Sequence, residues 1–442
     1  MYDRSRGQTG LFGRDCWRTA AVVMAVTAIA AASSSAAEGD WPMWRYDSGH
    51  TAASPYDLPA SLHPAWTRHE TPRVPVWDDP LNQDMMPYDA IFEPVVADGR
   101  MFLGFNDSDK VIALDIRSGE ELWSFYADGP VRFSPVAFGG KVCFASDDGC
   151  LYCLGASDGQ LVWRFRGAPA ARKVIGNQRV ISAWPARGGP VVRDGVVYFA
   201  ASIWPFMGTF IYAVDAESGE LRWINDGVSA TFIKQPHSAP SFAGVAPQGQ
   251  LTATAECLLV PGGRSLPAVF DRETGQQKHF DFGAKGQGGS FVAASESRYF
   301  VHTRERGTMA FTLGDSRDDK WQINEPVLAP DRIYAANTPG EKDGKPAPPV
   351  VQAFDSDKKL LWQIEADGSG DLIQAGGRLY AAGGGLLVAI ELPLEGAAAR
   401  IAWSQPVEGN VRRLLAGGGI LFAVTDDGRI LAFGADKQPV KS

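Results

Sequence analysis

Short apolar runs alternate with Gly- and Asp-rich turns along most of the 442-residue chain. "EPVVADGRMFLGF" (93–105), "SPVAFGGKVCFAS" (134–146), "GPVVRDGVVYFAA" (189–201) and "EPVLAPDRIYAAN" (325–337) each read as a short strand, a turn and a second β-rich run. A third run then enters a box, "ALDIRSGEELW" (113–123), which returns as "AVDAESGELRW" (213–223). No helical periodicity of any length appears beyond the N-terminus, so the pattern predicts an all-β protein built from repeated four-stranded units.

The box supplies a ruler. Its eleventh position falls at Trp123, Trp163, Trp223, His279, Trp321, Trp362 and Trp403, with a period near 40 residues and two longer intervals. Such a period marks a β-propeller with one blade per repeat. The last copy, "RILAFGA" (429–435), reaches no Trp of its own, whereas Trp66 in "PAWTRHE" (64–70) stands alone near the other end. The N-terminal strand is therefore expected to complete the C-terminal blade. The count is eight blades, or seven if 280–321 is not a full one.

Residue types in the box suit structure. Asp at position three bonds nearby backbone N–H groups, and Gly at position seven accepts positive φ. An indole at position eleven packs its apolar face between blades and needs a carbonyl for its single N–H. Trp66, Trp123, Trp163, Trp223, Trp321, Trp362 and Trp403 are thus expected to be structural docking residues, with His279 replacing the indole in one blade.

The ends and the charge refine this picture. Arg4, Arg6, Arg14 and Arg18 precede the apolar run 20–32 and the small residues 33–37, the order of a secretory signal. Residues 1–37 are read as a signal peptide, with an uncleaved anchor as the alternative; 38–436 form one propeller and 437–442 a tail. The chain is expected to be exported to the periplasm or beyond, to have no membrane span once cleaved, and to be a monomer. A net charge of −9 without a basic stripe gives nucleic-acid binding no support. "KVCFASDDGCLYC" (141–153) reads as a hairpin that sets Cys143 opposite Cys153. Simple burial as small hydrophobes is favoured there over a cross-strand disulfide.

The repeated box resembles the tryptophan-docking motif of the quinoprotein, or PQQ-like, propellers, and "DWPMWRYDSGHTAAS" (40–54) resembles their opening segment. That family includes PQQ-dependent dehydrogenases and the outer-membrane protein assembly factor BamB. The resemblance implies that each docking Trp packs on the turn of a neighbouring blade, and for the dehydrogenases PQQ and calcium on the ring axis, an Asp base and often a vicinal Cys-Cys disulfide. No Cys-Cys pair occurs in this chain, and no calcium cluster stands out. No cofactor or metal site is therefore expected, catalytic residues stay unidentified, and a binding scaffold for an envelope protein or a small ligand on one face is favoured over an enzyme. The alternative is a PQQ-dependent oxidoreductase acting on an alcohol or sugar.

Two places could hold a site. Insertions at 167–189, 202–208 and 225–242 carry Arg179, Trp184, Arg187, Trp204, Lys234 and His237, a candidate cationic and aromatic surface for a ligand or partner. Innermost strands are expected to begin at Pro94, Pro135, Pro190, Pro240 and Pro326, where an edge strand tolerates Pro. Glu93, Ser134 and Glu325 would then ring the channel mouth.

Overall fold

The computed structural model describes residues 39–76, 88–176, 178–229, 231–234, 240–262, 265–281, 288–303, 307–313, 317–337, 341–342, 345–393 and 398–435. The signal segment 1–37, the tail 437–442 and His237 lie outside them. Eight antiparallel blades follow one another: blade 1 spans 95–126, blade 2 136–166, blade 3 188–225, blade 4 252–279, blade 5 292–322, blade 6 327–365, blade 7 371–406 and blade 8 411–434. Blade 8 takes its fourth strand from His63–His69, which pairs with Arg429–Gly434 and sets Trp66 opposite Ala432. The first and last parts of the propeller are thereby latched in a single sheet, which removes an exposed edge.

Within most blades three positions form a ladder. An aromatic residue on the second strand faces Ala on the third, and Ala faces the docking Trp on the fourth: Phe102, Ala113 and Trp123 in blade 1 are the pattern. Because Ala is small, the two rings lean over it and meet. Ring centroids are 5.8–6.0 Å apart for Phe102–Trp123, Tyr198–Trp223, Phe300–Trp321, Tyr334–Trp362, Tyr380–Trp403 and Phe422–Trp66.

Each indole then reaches the next blade. Nε1 of Trp66, Trp123, Trp163 and Trp223 donates to the carbonyls of Ile116, Ala156, Ala216 and Arg272 at 2.9–3.2 Å, position four of the next box in every case. The ring face lies on the Gly at position seven. A Cβ at Gly119, Gly159, Gly219 or Gly275 would come within 2.5–2.8 Å of the indole, and all four have φ near +70°. The box Asp ties the same turn: Asp115 Oδ1 accepts from the N–H groups of Arg117 and Ser118. Trp403 differs, donating to the carbonyl of Ala60 in the segment that precedes the closing strand.

Docking weakens along one arc. His279 holds the register position of the indole in blade 4, opposite Val269. Trp321 and Trp362 keep their aromatic neighbours, but among the described residues their indole N–H groups find no carbonyl.

One strand start needs correction. Pro94, Pro135, Pro190 and Pro326 lie at or within one to two residues of an innermost strand, but Pro240 does not. Pro240–Ala243 pairs with Thr231–Lys234 in a separate hairpin, and blade 4 begins at Thr252–Ala253. Without an N–H, Pro240 can sit at this free strand edge as readily as at a blade's inner one. In the polar stretch 337–349, Glu341–Lys342 pairs with Lys345–Pro346 as a small hairpin.

Candidate functional site

The segment 39–54 crosses one mouth of the ring and touches the innermost strands in ring order. Backbone bonds join Gly39 to blade 8, Trp41 to blade 1, Pro42 to blade 2, Ser48 to blade 4, Gly49 to blade 5, Thr51 to blade 6, and Ala52 and Ser54 to blade 7. Met43 packs beside blade 3. Non-glycine residues with positive φ at Arg45, Tyr46, His50 and Ala52 let so short a stretch turn repeatedly.

Above this plug lies an axial cavity of about 190 Å³. Trp44, Tyr88, Phe133 and Phe291 give it aromatic walls, and Glu93, Ser134 and Glu325, the three residues expected at the channel mouth, all line it. Gln250, Arg412 and Arg413 add to its polar lining. The buried carboxylates around it are taken up by guanidinium groups. Arg413 grips Glu93 at 2.7 and 2.9 Å and reaches Asp371 at 3.3 Å. Arg45, fully buried, donates to Asp371 at 3.2 Å and to the carbonyl of Pro326 at 2.6 Å. Arg132 bridges Asp89 and Asp147, each at 2.6 Å.

Burial pushes the Asp147 carboxyl up, but the guanidiniums of Arg187 and Arg132 outweigh it and hold the group below the usual carboxylate range. Burial likewise lowers Arg45. His50, closed in beside Arg45, is pushed down to about 3 by burial and stays neutral, with Nδ1 2.8 Å from the carbonyl of Val292 and 3.0 Å from Thr252 Oγ1.

This donor set does not fit a calcium-held quinone. Calcium takes six to eight oxygen ligands with carboxylates prominent among them. Here Glu93, Asp371, Asp89 and Asp147 are committed to arginines, and among the described residues no group of three or more His, Cys, Asp or Glu converges to hold a metal.

The insertions gather on one sector. Lys173–Gly176 pairs with Arg179–Ser182 as a hairpin, Pro205–Met207 forms a 3-10 turn, and the hairpin of Pro240 packs near that turn. Between the first hairpin and the turn runs a groove of about 300 Å³, lined by Val174, Ile175, Ile181, Ile203, Trp204 and Met207. Ile175 is 85% exposed, Phe206 67% and Trp204 44%. Trp184 anchors the turn through a 2.7 Å bond from Nε1 to the carbonyl of Met207.

The expected cationic surface is thus redrawn. Trp184, Trp204 and exposed Lys234 lie on these insertions, while Arg179 is tied to Asp109 at 2.5 Å. Arg187 is corrected: it is fully buried and bonds both oxygens of Asp147 at 3.1 and 2.9 Å. A buried carboxylate already facing Arg132 draws the second guanidinium inward. Ile175 and Phe232, the latter 65% exposed on Thr231–Lys234, were not singled out by the sequence, because apolar residues in a β-rich run read as core. The signal was their place in insertions longer than a blade requires.

Comparison with known proteins places the chain. The family model described as "Outer membrane protein assembly factor BamB" matches residues 63–226 and 349–438, more than half of the sequence. The dehydrogenase subunit of alcohol dehydrogenase (quinone) from Gluconobacter oxydans is 32% identical over 142 residues, which are 29% of this chain and 18% of that protein. Serine/threonine-protein kinase AfsK from Streptomyces coelicolor is 32% identical over 135 residues, 30% of this chain and 14% of that one. The chain thus spans under a fifth of each curated relative's length. Quinohemoprotein alcohol dehydrogenase from Comamonas testosteroni shares the fold, with a TM-score of 0.60 and 15% identity over 93% of this chain and 83% of that one. No helix among the described residues is long and apolar enough to cross a membrane. With its family model, its docking boxes and its eight-bladed ring in agreement, the chain belongs to the PQQ-like propeller family described as outer membrane protein assembly factor BamB.

Proposed function

We propose that this propeller is a non-catalytic binding scaffold of the cell envelope, and that the insertion sector receives a partner protein. The observation that carries this reading is the apolar groove beside Ile175, Trp204 and Phe206, large side chains held in solvent on segments the ring does not need. Contiguous exposed apolar surface of this kind marks interaction sites. The surroundings are cationic: Arg172, Lys173 and Lys234 are exposed there, on a chain whose net charge is −9. The axis supports the same reading, since the carboxylates of Glu93, Asp371, Asp89 and Asp147 are paired with guanidiniums.

A second reading, a PQQ-dependent oxidoreductase for an alcohol or sugar, draws on similarity to quinone-dependent alcohol dehydrogenases. In a pull-down from envelope extract, the scaffold reading expects a specific protein retained by the native chain. A Phe206→Ser, Ile175→Ser variant of unchanged thermal stability is expected to lose it. Turnover of an alcohol or sugar after adding PQQ and calcium, with no partner retained, would overturn the scaffold reading.

A further inference from the structure

Blade 2 departs from the rest of the ring at one rung. The second and third strands face an aromatic residue against Ala in six blades: Phe102–Ala113, Tyr198–Ala213, Phe300–Ala310, Tyr334–Ala353, Tyr380–Ala389 and Phe422–Ala432. Blade 4 has Leu259 against Val269. In blade 2 both members are thiols, Cys143 against Cys153, and neither has any exposed surface.

The ladder around this rung defines its geometry. The N–H of Ser146 donates to the carbonyl of Cys150, and the N–H of Ala156 donates to the carbonyl of Gly140. Alternation between these two bonds makes Cys143 and Cys153 a non-hydrogen-bonded pair, the closer of the two antiparallel kinds, with Cα atoms about 4.5 Å apart. Disulfides bridge Cα separations of about 4.4–6.8 Å. Cys150 and Cys257 have no cysteine opposite them.

We propose that Cys143 and Cys153 close into a cross-strand disulfide as the chain folds, a covalent rung where six other blades set an aromatic ring against Ala. The oxidant is a small-molecule or protein disulfide, such as an oxidising compartment supplies; its presence in the cell rests on the envelope reading above. One cysteine thiolate attacks the oxidant's S–S bond, forming a mixed disulfide and expelling one thiolate. The second cysteine attacks that mixed disulfide, forms the Cys143–Cys153 bond and releases the other thiolate. The pair loses two electrons and two protons, and the oxidant becomes two thiols. Exchange precedes packing of blade 3, because Val197, Phe199 and Tyr212 bury the pair in the finished core.

The test needs only the purified chain. Protein unfolded in guanidinium and reduced is refolded with a mixture of oxidised and reduced glutathione, alkylated under denaturing conditions and mapped by mass spectrometry. The expected product links Cys143 to Cys153, lacks two hydrogens and carries alkyl groups on Cys150 and Cys257. Reductant is expected to lower its thermal midpoint by a few degrees. The Cys143→Phe, Cys153→Ala variant, which rebuilds the common rung, is expected to be indifferent to reductant. Alkylation of both Cys143 and Cys153, glutathione adducts on them, or pairing through Cys150 would overturn the proposal. The envelope reading fails separately, if the chain stays in the cytosol of its host while the refolded protein still forms the bond.

Discussion

Two arcs of the same ring are fastened differently. From blade 8 through blade 4, four indoles reach across to a backbone carbonyl and lie on a glycine of the next blade. From blade 4 through blade 7 that peripheral contact is incomplete, with His279 in one position and no carbonyl partner for Trp321 or Trp362 among the described residues. The axial segment is densest along this second arc. Ser48, Gly49 and Thr51 bond to blades 4, 5 and 6, Arg45 reaches the carbonyl of Pro326, and His50 joins Thr252 of blade 4 to Val292 of blade 5. A ring must resist opening at every interface, and here the axis holds what the rim leaves loose. A repeat motif can therefore decay locally without loss of the fold, provided some other element spans the same blades.

The comparison can be broken at either fastener. Trp66→Ala removes a buried indole at the latch and is expected to cost about 3–5 kcal/mol, read in denaturant unfolding, with hydrogen exchange rising first in blades 8 and 1. Arg45→Met leaves the buried Asp371 with Arg413 as its one close guanidinium, beside the backbone N–H groups of Leu372 and Leu414. It is expected to cost about 3 kcal/mol, with exchange rising first in blades 5 to 7.

Acid should act on the axis. His50 is neutral when folded and binds a proton only near pH 3, whereas the unfolded chain binds one near 6.5. The unfolded state thus holds the extra proton between those values, so stability falls as pH drops from 6.5 toward 3, by about 1.4 kcal/mol per unit from this group. Denaturant titrations of the native chain and His50→Asn at pH 7, 6 and 5 check this: the variant's slope should be shallower. The smallest effect sharpens the contrast at the rim. Trp123→Phe deletes an indole bond to Ala156 and should cost about 1 kcal/mol more than Trp362→Phe, which deletes none.

How much of this was readable follows from distance along the chain. Ring, blade count and latch were legible because the box repeats and each copy reports its own hairpin. The need for Gly at position seven was half visible: the turn explains its φ, but the indole lying on it belongs to the preceding blade. Glu93, Ser134 and Glu325 could be placed at one mouth because each stands beside a strand-starting Pro. Their partners could not. Arg413 stands 320 residues from Glu93, and Arg45 stands 326 from Asp371, and no local pattern reports such a pair. Arg187 misled for the same reason: an Arg in a polar insertion, grouped with other cations, reads as exposed until the carboxylate it meets is known.

The scaffold reading is tested most directly by a photo-activated cross-linker placed at Phe206 in cells of the native host, with the same probe at Leu361 on the outer strand of blade 6 as reference. A single protein adduct at position 206, absent at 361, is the predicted result. Equal labelling at both positions, or none at 206 in a chain that turns over an alcohol or sugar with PQQ and calcium, would contradict it.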